Sequence, residues 1–494
     1  MRWHDRREFF QESARWAAAL SAAGLACPAF GDNPKPEPAG LGSPAERIRV
    51  AVIGANRKSG RGYEHVGMAA GRNNVEVVAV CDCDDDVVGD ALNRAEKQQG
   101  RKPGYQKDLR RVLDDRTIDA VTIATPNHWH ALAAIWAMQA GKHVYVEKPV
   151  SHNVWEGRKI VEAARKYNRI CQTGTQARSA SAMRAMIDFV RAGKIGQVSI
   201  ARALCYKLRP SIGQVEGDGA VPPTIDYDLW CGPGPLRPPR RKRLHYDWHW
   251  QWDFGNGDIG NQGIHQMDVA RWGLNKSALP QEVVSLGGRF GSKDDGETPN
   301  TMLSRLDYGD CRIIFEVRGF PTLDVLADTR GGPVADKRLI AKVGNVFHGT
   351  KGFVITANYG EAVAVDNDGS IIEVFRAEKG DDHFGNFCQA VRSGRIQDLT
   401  ADIEEGHVSS ALCHLANLSY RLGQDAPLDS APAIDDALER MKRHLAANGV
   451  SAADLSCRIG ATLTIDPTRE LVKNHPPSIL AREYRNGFVV PSAV

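Results

Sequence analysis

Residues 121–149 restrict the fold more than any other stretch of this chain. The apolar run Val121-Thr122-Ile123-Ala124 leads into Thr125-Pro126-Asn127-His128-Trp129-His130. An apolar helical pattern follows, then a second short run, His143-Val144-Tyr145-Val146, which ends in Glu147-Lys148-Pro149. Two short buried-type strands joined by a helix form a βαβ unit, and its strands must lie parallel. Ligands bind such sheets at the carboxyl ends of the strands. Both strand ends here carry polar side chains, and one of them, Lys148, can move a proton. The pattern points to an enzyme rather than a plain structural α/β domain.

The same alternation starts upstream. Ile48–Ile53 reads as a strand that runs into Gly54, and a helix follows from about residue 62 to 70. Val75–Val80 is a second strand ending at Cys81-Asp82. Helices around 87–98, 109–113 and 154–167 and a short strand at 169–172 complete the set, so the sheet should be parallel and doubly wound. Past residue 180 the pattern changes. A strand-like run at 197–207, a proline-rich, loop-like 208–247 with Arg240-Arg241-Lys242-Arg243, and later short strands predict an α+β domain with a mainly antiparallel sheet. The expected divisions are 1–30, 31–46, 47–175, 176–425 and a C-terminal appendage, 426–494, with a helix near 434–447.

With 494 residues the chain should hold two domains plus extras. A net charge of +3 excludes a bulk nucleic-acid binder. The ten cysteines are scattered and form no C-x-x-C pair, so no metal site is expected. Asp5-Arg6-Arg7-Glu8-Phe9-Phe10-Gln11 before an alanine-rich run resembles a twin-arginine export signal, although Asp5, Phe10 and Gln11 depart from its usual residues. The alternative is an ordinary amphipathic helix. Residues 31–46, rich in Pro and Gly, read as the linker behind the signal. No later stretch holds 18 uninterrupted apolar residues, so the mature chain is not expected to span a membrane. That route carries folded proteins, and outside the cytoplasm there is no nucleotide pool to exchange with. Periplasmic or other extracytoplasmic localisation would therefore require a tightly held cofactor.

Three constellations carry the chemistry. Gly54, Asn56, Gly60 and Arg61 surround the first strand-to-helix turn. The dinucleotide fingerprint has glycine where Asn56 stands and a shorter loop, so taken alone this is equally a plain turn. Asp82 ends the second strand, where a carboxylate can accept both ribose hydroxyls, and Asp84, Asp85 and Asp86 would repel a 2′-phosphate. NAD is expected, with NADP as the alternative. Lys148 between Glu147 and Pro149 is either a proton-transfer group with a lowered pKa or a surface ion pair. Asp258, Asn261, His265 and Asp268 are spaced at i, i+3, i+7 and i+10, which places them on one helix face. A solvated face is the plainer explanation of that stripe. Trp248, Trp250 and Trp252 form a sugar-stacking wall or part of the second core.

With these motifs in view, the chain resembles the glucose–fructose oxidoreductase and inositol dehydrogenase family over roughly residues 47–425. The resemblance implies an N-terminal Rossmann domain, a C-terminal α/β domain with an open antiparallel sheet, and homo-oligomers, dimer or tetramer, built on that sheet. It implies a bound NAD or NADP contacted around Gly54, Asn56, Gly60, Arg61, Asp82, Thr125, Pro126, Asn127, His130, Glu147 and Lys148. It makes Lys148 and His265 catalytic. The family often has aspartate four residues before the histidine, and here that position is Asn261, so Asp258 or Asp268 would have to substitute. Arg178, Trp252 and Asp268 are the expected substrate contacts.

Three functions remain. The first is an exported NAD(P)-dependent oxidoreductase acting on a hydroxyl or carbonyl of a sugar, cyclitol or glycoside. The second is a redox-neutral glycosidase or lyase on the same scaffold, working by oxidation, elimination and reduction. The third is a non-catalytic sugar-binding protein, against which Lys148 and His265 argue.

Overall fold

Six strands open the computed structural model, which describes residues 46–58, 60–291, 293–322, 339–451 and 455–494. The expected export signal and, apart from Glu46, its linker lie outside the described residues. β1 (Ile48–Ile53), β2 (Val75–Cys81), β3 (Gly104–Gln106), β4 (Ala120–Ile123), β5 (His143–Val146) and β6 (Cys171–Thr173) pair only in parallel, in the order β3-β2-β1-β4-β5-β6. Strand order reverses between β1 and β4, which opens a crevice at their carboxyl ends. β1 and β4 are almost continuously apolar because helices cover both faces of the sheet. The helix Asn127–Gln139 is buried nearly all round for the same reason. Asn153 caps the helix Val154–Lys166 by accepting from the Glu156 amide at 2.9 Å, while Glu156 accepts from the His152 amide at 2.8 Å. That reciprocal pair fixes where the chain turns after β5.

The second sheet is mixed and has twelve strands. β7 (Val198–Tyr206) lies at its centre, beside β10 (Arg312–Arg318) in parallel register; β8 (Glu282–Gly288) and β9 (Thr301–Asp307) continue one side, and β11 (Val343–Gly349) to β14 (Ile371–Arg376) the other, all antiparallel. Alternate residues of β10 point to opposite faces, as the two-residue period requires. Ile313, Phe315 and Val317 pack against the helices Ser181–Arg191, Ile264–Gly273 and Ile403–Arg421, and Ile314 faces the other way.

The residues expected to form an appendage extend the second sheet and pack into the cores of both domains instead. β15 (Gln424–Pro427) and β16 (Ser456–Ile459) extend the edge beside β8. Leu438, Met441 and Leu445 of the helix Ala437–Ala447 cover the outer face of β8–β10. Phe488 and Val490 enter the core beneath the parallel sheet, and Phe384, Phe387 and Cys388 pack on its other side. Sequence order hides this because the segments that seal the first domain come last. Among the described residues, no helix is long and apolar enough to cross a membrane.

Candidate active site

A cavity of about 820 Å³ runs along the carboxyl ends of β1, β2, β4 and β5, and every residue expected to contact the cofactor lines it. The first turn is shaped by close approach. Gly54 has φ +84°, and a Cβ there would stand 2.6 Å from the Thr125 amide nitrogen; one on Gly62 would stand 1.9 Å from the Gly54 carbonyl oxygen. Only glycine lets the helix Arg61–Ala69 start this close to β1. Asn56 replaces the second fingerprint glycine at φ 50°, a left-handed conformation that asparagine tolerates better than most residues. Its amide donates to Asp82 Oδ2 at 3.1 Å, and the Asp84 amide donates to Oδ1 at 3.1 Å. Each Asp82 oxygen keeps a second acceptor direction for a ribose hydroxyl. Burial raises the Asp82 pKa, against the pull of those amides.

The acidic run after Asp82 is not a bare negative wall. Asp84 is buried and pairs with His245 Nε2 at 2.8 Å, and Asp85 pairs with Lys107 at 2.7 Å. Lys242 and Arg243 line the same end of the cavity. A strap from the second domain closes over this end. The Asp226 amide donates to the Cys83 carbonyl at 2.9 Å, the Asp85 amide to the Thr224 carbonyl at 3.2 Å, and Lys107 to the Thr224 carbonyl at 3.0 Å.

Glu147 is fixed beneath the turn. Its Oε1 accepts from Arg61 Nε at 2.7 Å and meets His65 Nε2 at 3.1 Å, and Gly174 leaves room for the carboxylate, since a Cβ there would lie 2.8 Å from it. Burial pushes the Glu147 carboxyl up, but Arg61 and His65 outweigh it and hold the group well below the usual range. Arg61 and Glu147 thus hold each other while lining the cavity. His130 also lines it, but its ring nitrogens face the Pro149 and Thr125 carbonyls at 2.6 and 2.8 Å. It ties the ends of β4 and β5 together.

Lys148 is the reactive end. Its Nζ donates to the Asn261 carbonyl at 2.7 Å. Burial lowers its pKa to about 8, although Glu147 opposes the shift. A useful fraction is therefore neutral near physiological pH. His265 is buried, and burial followed by the Lys148 charge hold it well below its ordinary pKa. It does not line the cavity; its ring lies 5.6 Å from that of Tyr359, and its Nδ1 has no partner among the described residues.

The polar stripe is not a single helix face. A π-turn at Ile259–Gly263 precedes the helix Ile264–Gly273 and breaks the register between Asp258 and His265. Neither aspartate substitutes for the family's histidine partner, because each is bound by a guanidinium. Asp258 accepts from Arg209 at 2.6 and 2.8 Å. Asp268 accepts from Arg178 at 2.8 to 3.0 Å and from Ser409 Oγ at 2.6 Å. Arg178 also bonds Glu405 at 2.8 Å. The structure therefore places Arg178 and Asp268 in a buried clamp between helices and away from the cavity. Asp258 positions Arg209, which also donates to the Tyr246 hydroxyl at 3.2 Å. Trp252 lies in a different cavity, while Trp250 is core.

Sequence reasoning missed His249. It lines the cavity next to Trp248, on which it stacks with centroids 3.7 Å apart. Burial takes its pKa to about 3, so the ring is neutral. Its Nδ1 lies 2.5 Å from the Tyr246 carbonyl, which places the proton on Nδ1 and leaves Nε2 as an acceptor. The signal was present as Tyr246-x-x-His249 inside the tryptophan-rich turn, but the tryptophans drew the sugar-stacking interpretation.

Residues 48–175 match the model of an oxidoreductase family, NAD-binding Rossmann fold, and residues 197–318 match its C-terminal alpha/beta domain. The chain belongs to the Gfo/Idh/MocA oxidoreductase family. Its first matched domain is that family's NAD-binding Rossmann fold. An alpha-N-acetylgalactosaminidase of Shewanella oneidensis is 31% identical over 204 residues, which are 39% of this chain and 44% of that protein. A glycosyl hydrolase family 109 protein of Shewanella baltica is 30% identical over the same shares. The chain thus spans less than half the length of these relatives. Among solved structures, the WlbA dehydrogenase from Bordetella pertussis, in complex with NADH and UDP-GlcNAcA, superposes with a TM-score of 0.53 at 21% identity, covering 75% of this chain and 96% of that one. A levoglucosan dehydrogenase in complex with NADH and levoglucosan gives 0.52 at 17%, covering 75% and 97%. These two share the Gfo/Idh/MocA fold. The glycine approach at Gly54 and Gly62 and the doubly held Asp82 fit a dinucleotide in this chain's cavity.

Proposed function

We propose that the protein transfers a hydride between a hydroxyl-bearing carbon of a sugar, cyclitol or glycoside and a tightly held NAD, outside the cytoplasm. The observation that carries this reading is Lys148, a half-buried lysine that lines the cavity with its Nζ on the Asn261 carbonyl and whose pKa burial lowers to about 8. Bound NAD supplies hydride acceptance. Lys148 in its neutral form would take the proton of the substrate hydroxyl and become a protonated lysine, while the substrate carbon would become a carbonyl. The Asn261 carbonyl fixes the direction of the Lys148 amine. His249 Nε2 accepts a hydrogen bond from a neighbouring hydroxyl and orients the ring. His265 is the second candidate for moving a proton. The strap of residues 224–249 supports tight retention, and Arg6-Arg7 ahead of the alanine-rich run supports export.

The relatives named as glycosidases favour a second reading, in which the hydride returns after elimination of a glycosidic bond and the reaction is redox-neutral. Purified without added nucleotide and mixed with sugars and glycosides, the protein should show a lasting rise in reduced-nicotinamide absorbance if it is a net oxidoreductase. Cleaved glycoside with no lasting rise would establish the redox-neutral cycle. Absence of bound nucleotide would overturn tight retention.

A further inference from the structure

A second cavity, of about 490 Å³, opens on the other side of the β5 end from the cofactor cavity. A hydrogen-bonded pair links their walls. Asn127, which lines the first, donates to Asn256 Oδ1 at 2.9 Å, and Asn256, which lines the second, donates to the His152 carbonyl at 3.0 Å. Nothing in the reaction above uses this space.

Its wall joins two kinds of group. Trp252 is partly buried there, with the Arg421 guanidinium 5.2 Å from the ring centroid. Arg421 and Arg482 both line the cavity, and among the described residues neither makes an ion pair with a carboxylate. Arg482 Nη1 donates to His152 Nδ1 at 3.1 Å and to the Asp253 carbonyl at 2.9 Å. Its Nε and Nη2 make no hydrogen bond among the described residues, which leaves open the edge of the guanidinium that matches a carboxylate. Burial depresses Arg421, the Glu297 and Asp253 charges oppose that, and Arg482 adds to it; His152 is depressed by burial and then by Arg482, with Arg421 adding less. The nearby acids are engaged. Asp253 faces Arg237 at 3.4 Å, Asp228 pairs with Arg485 at 2.6 Å, Glu156 accepts from Tyr484 at 2.9 Å, and Glu297 accepts from the Trp252 amide at 2.6 Å. Glu483 is exposed. Asn417 lines the cavity at 4% exposure, and its Oδ1 has no partner among the described residues.

We propose that this second cavity binds a carboxylated sugar, with the carboxylate on Arg482 and Arg421 and the apolar sugar face on Trp252. Aromatic surface, amides and guanidinium groups that make no contact ion pair among the described residues together match a ring that has one apolar face, several hydroxyls and one negative charge. The size suits one or two sugar units. The proposal is independent of the reaction run at Lys148.

Titration calorimetry of the full chain with glucuronate tests it. Glucuronate should bind saturably. Glucose, which lacks the charge, and acetate, which lacks the ring, should each bind roughly tenfold more weakly or worse, the loss expected for one charge-assisted contact. Arg421→Gln should weaken glucuronate by a similar factor with the melting temperature unchanged. Trp252→Ala should weaken glucuronate and leave acetate unaffected. Lys148→Ala should leave glucuronate binding unaltered, which separates this site from the cofactor cavity. Equal binding of acetate and glucuronate would mean a plain anion site and overturn the proposal. So would retention in Arg421→Gln, or loss in Lys148→Ala.

Discussion

Lys148 has two opposing influences around it, and the balance can be tested. Burial lowers its pKa and the Glu147 carboxylate raises it, with the result near 8. The neutral lysine is the base, and it forms as pH rises through that value. Rates of substrate oxidation should therefore rise with pH along a limb centred near 8. Lys148→Met should remove the limb and cost about 10² to 10⁴ in rate. Glu147→Gln removes the charge that keeps the lysine protonated, so its limb should move to lower pH. A limb that stays in place would mean that another group is the base. Lys148 was legible in the sequence because a strand end followed by proline fixes where the side chain starts. His249 was not, because its proton position depends on the Tyr246 carbonyl and on the fold of a loop that has no periodicity. Arg178 and Asp268 looked like substrate ligands because sequence shows charge but not that each has the other as its partner.

At the scale of elements, the π-turn at 259–263 decides how the second domain meets the first. It directs the Asn261 carbonyl at Lys148 while Asp258, just before it, bonds Arg209. Arg209 and Asp258 are both nearly buried. Removing one partner leaves the other charge unpaired, which costs about 3–5 kcal/mol. Arg209→Ala should lower stability by that order, measured by denaturant unfolding, while Arg209→Ala/Asp258→Asn should recover much of it. If the double variant is no more stable than the single, the pair does not carry this energy. The spacing of Asp258, Asn261, His265 and Asp268 suggested a regular helix, and one inserted residue in a turn was enough to divide the stripe. The parallel strands were legible because both faces are covered and the apolar runs are unbroken. β6 was placed two residues early, where the chain still turns through Asn168 at φ 49°.

At the scale of the molecule, the strap joins the domains across the nucleotide end of the cavity. His245 on Asp84 is its side-chain contact closest to Asp82. His245→Ala should speed NAD release, measured by stopped-flow chase, and leave the pH limb at Lys148 in place. Unchanged release would assign retention to the glycine turn alone. Long-range closure of this kind cannot be read from local pattern, since Asp84 and His245 are far apart in the chain and neither signals the other.

The packing of Phe384, Phe387, Phe488 and Val490 against the parallel sheet has a consequence for how the chain can be recombined. Its two family domains are adjacent in sequence but not separable as modules. A crossover at residue 175 with a relative's second half would replace all four of those side chains along with the catalytic loops. The incoming segment would have to fit a sheet it did not evolve beside. Exchange of substrate range by domain shuffling is thus blocked at the obvious boundary. Variation in the loops between 208 and 262 leaves those four side chains in place.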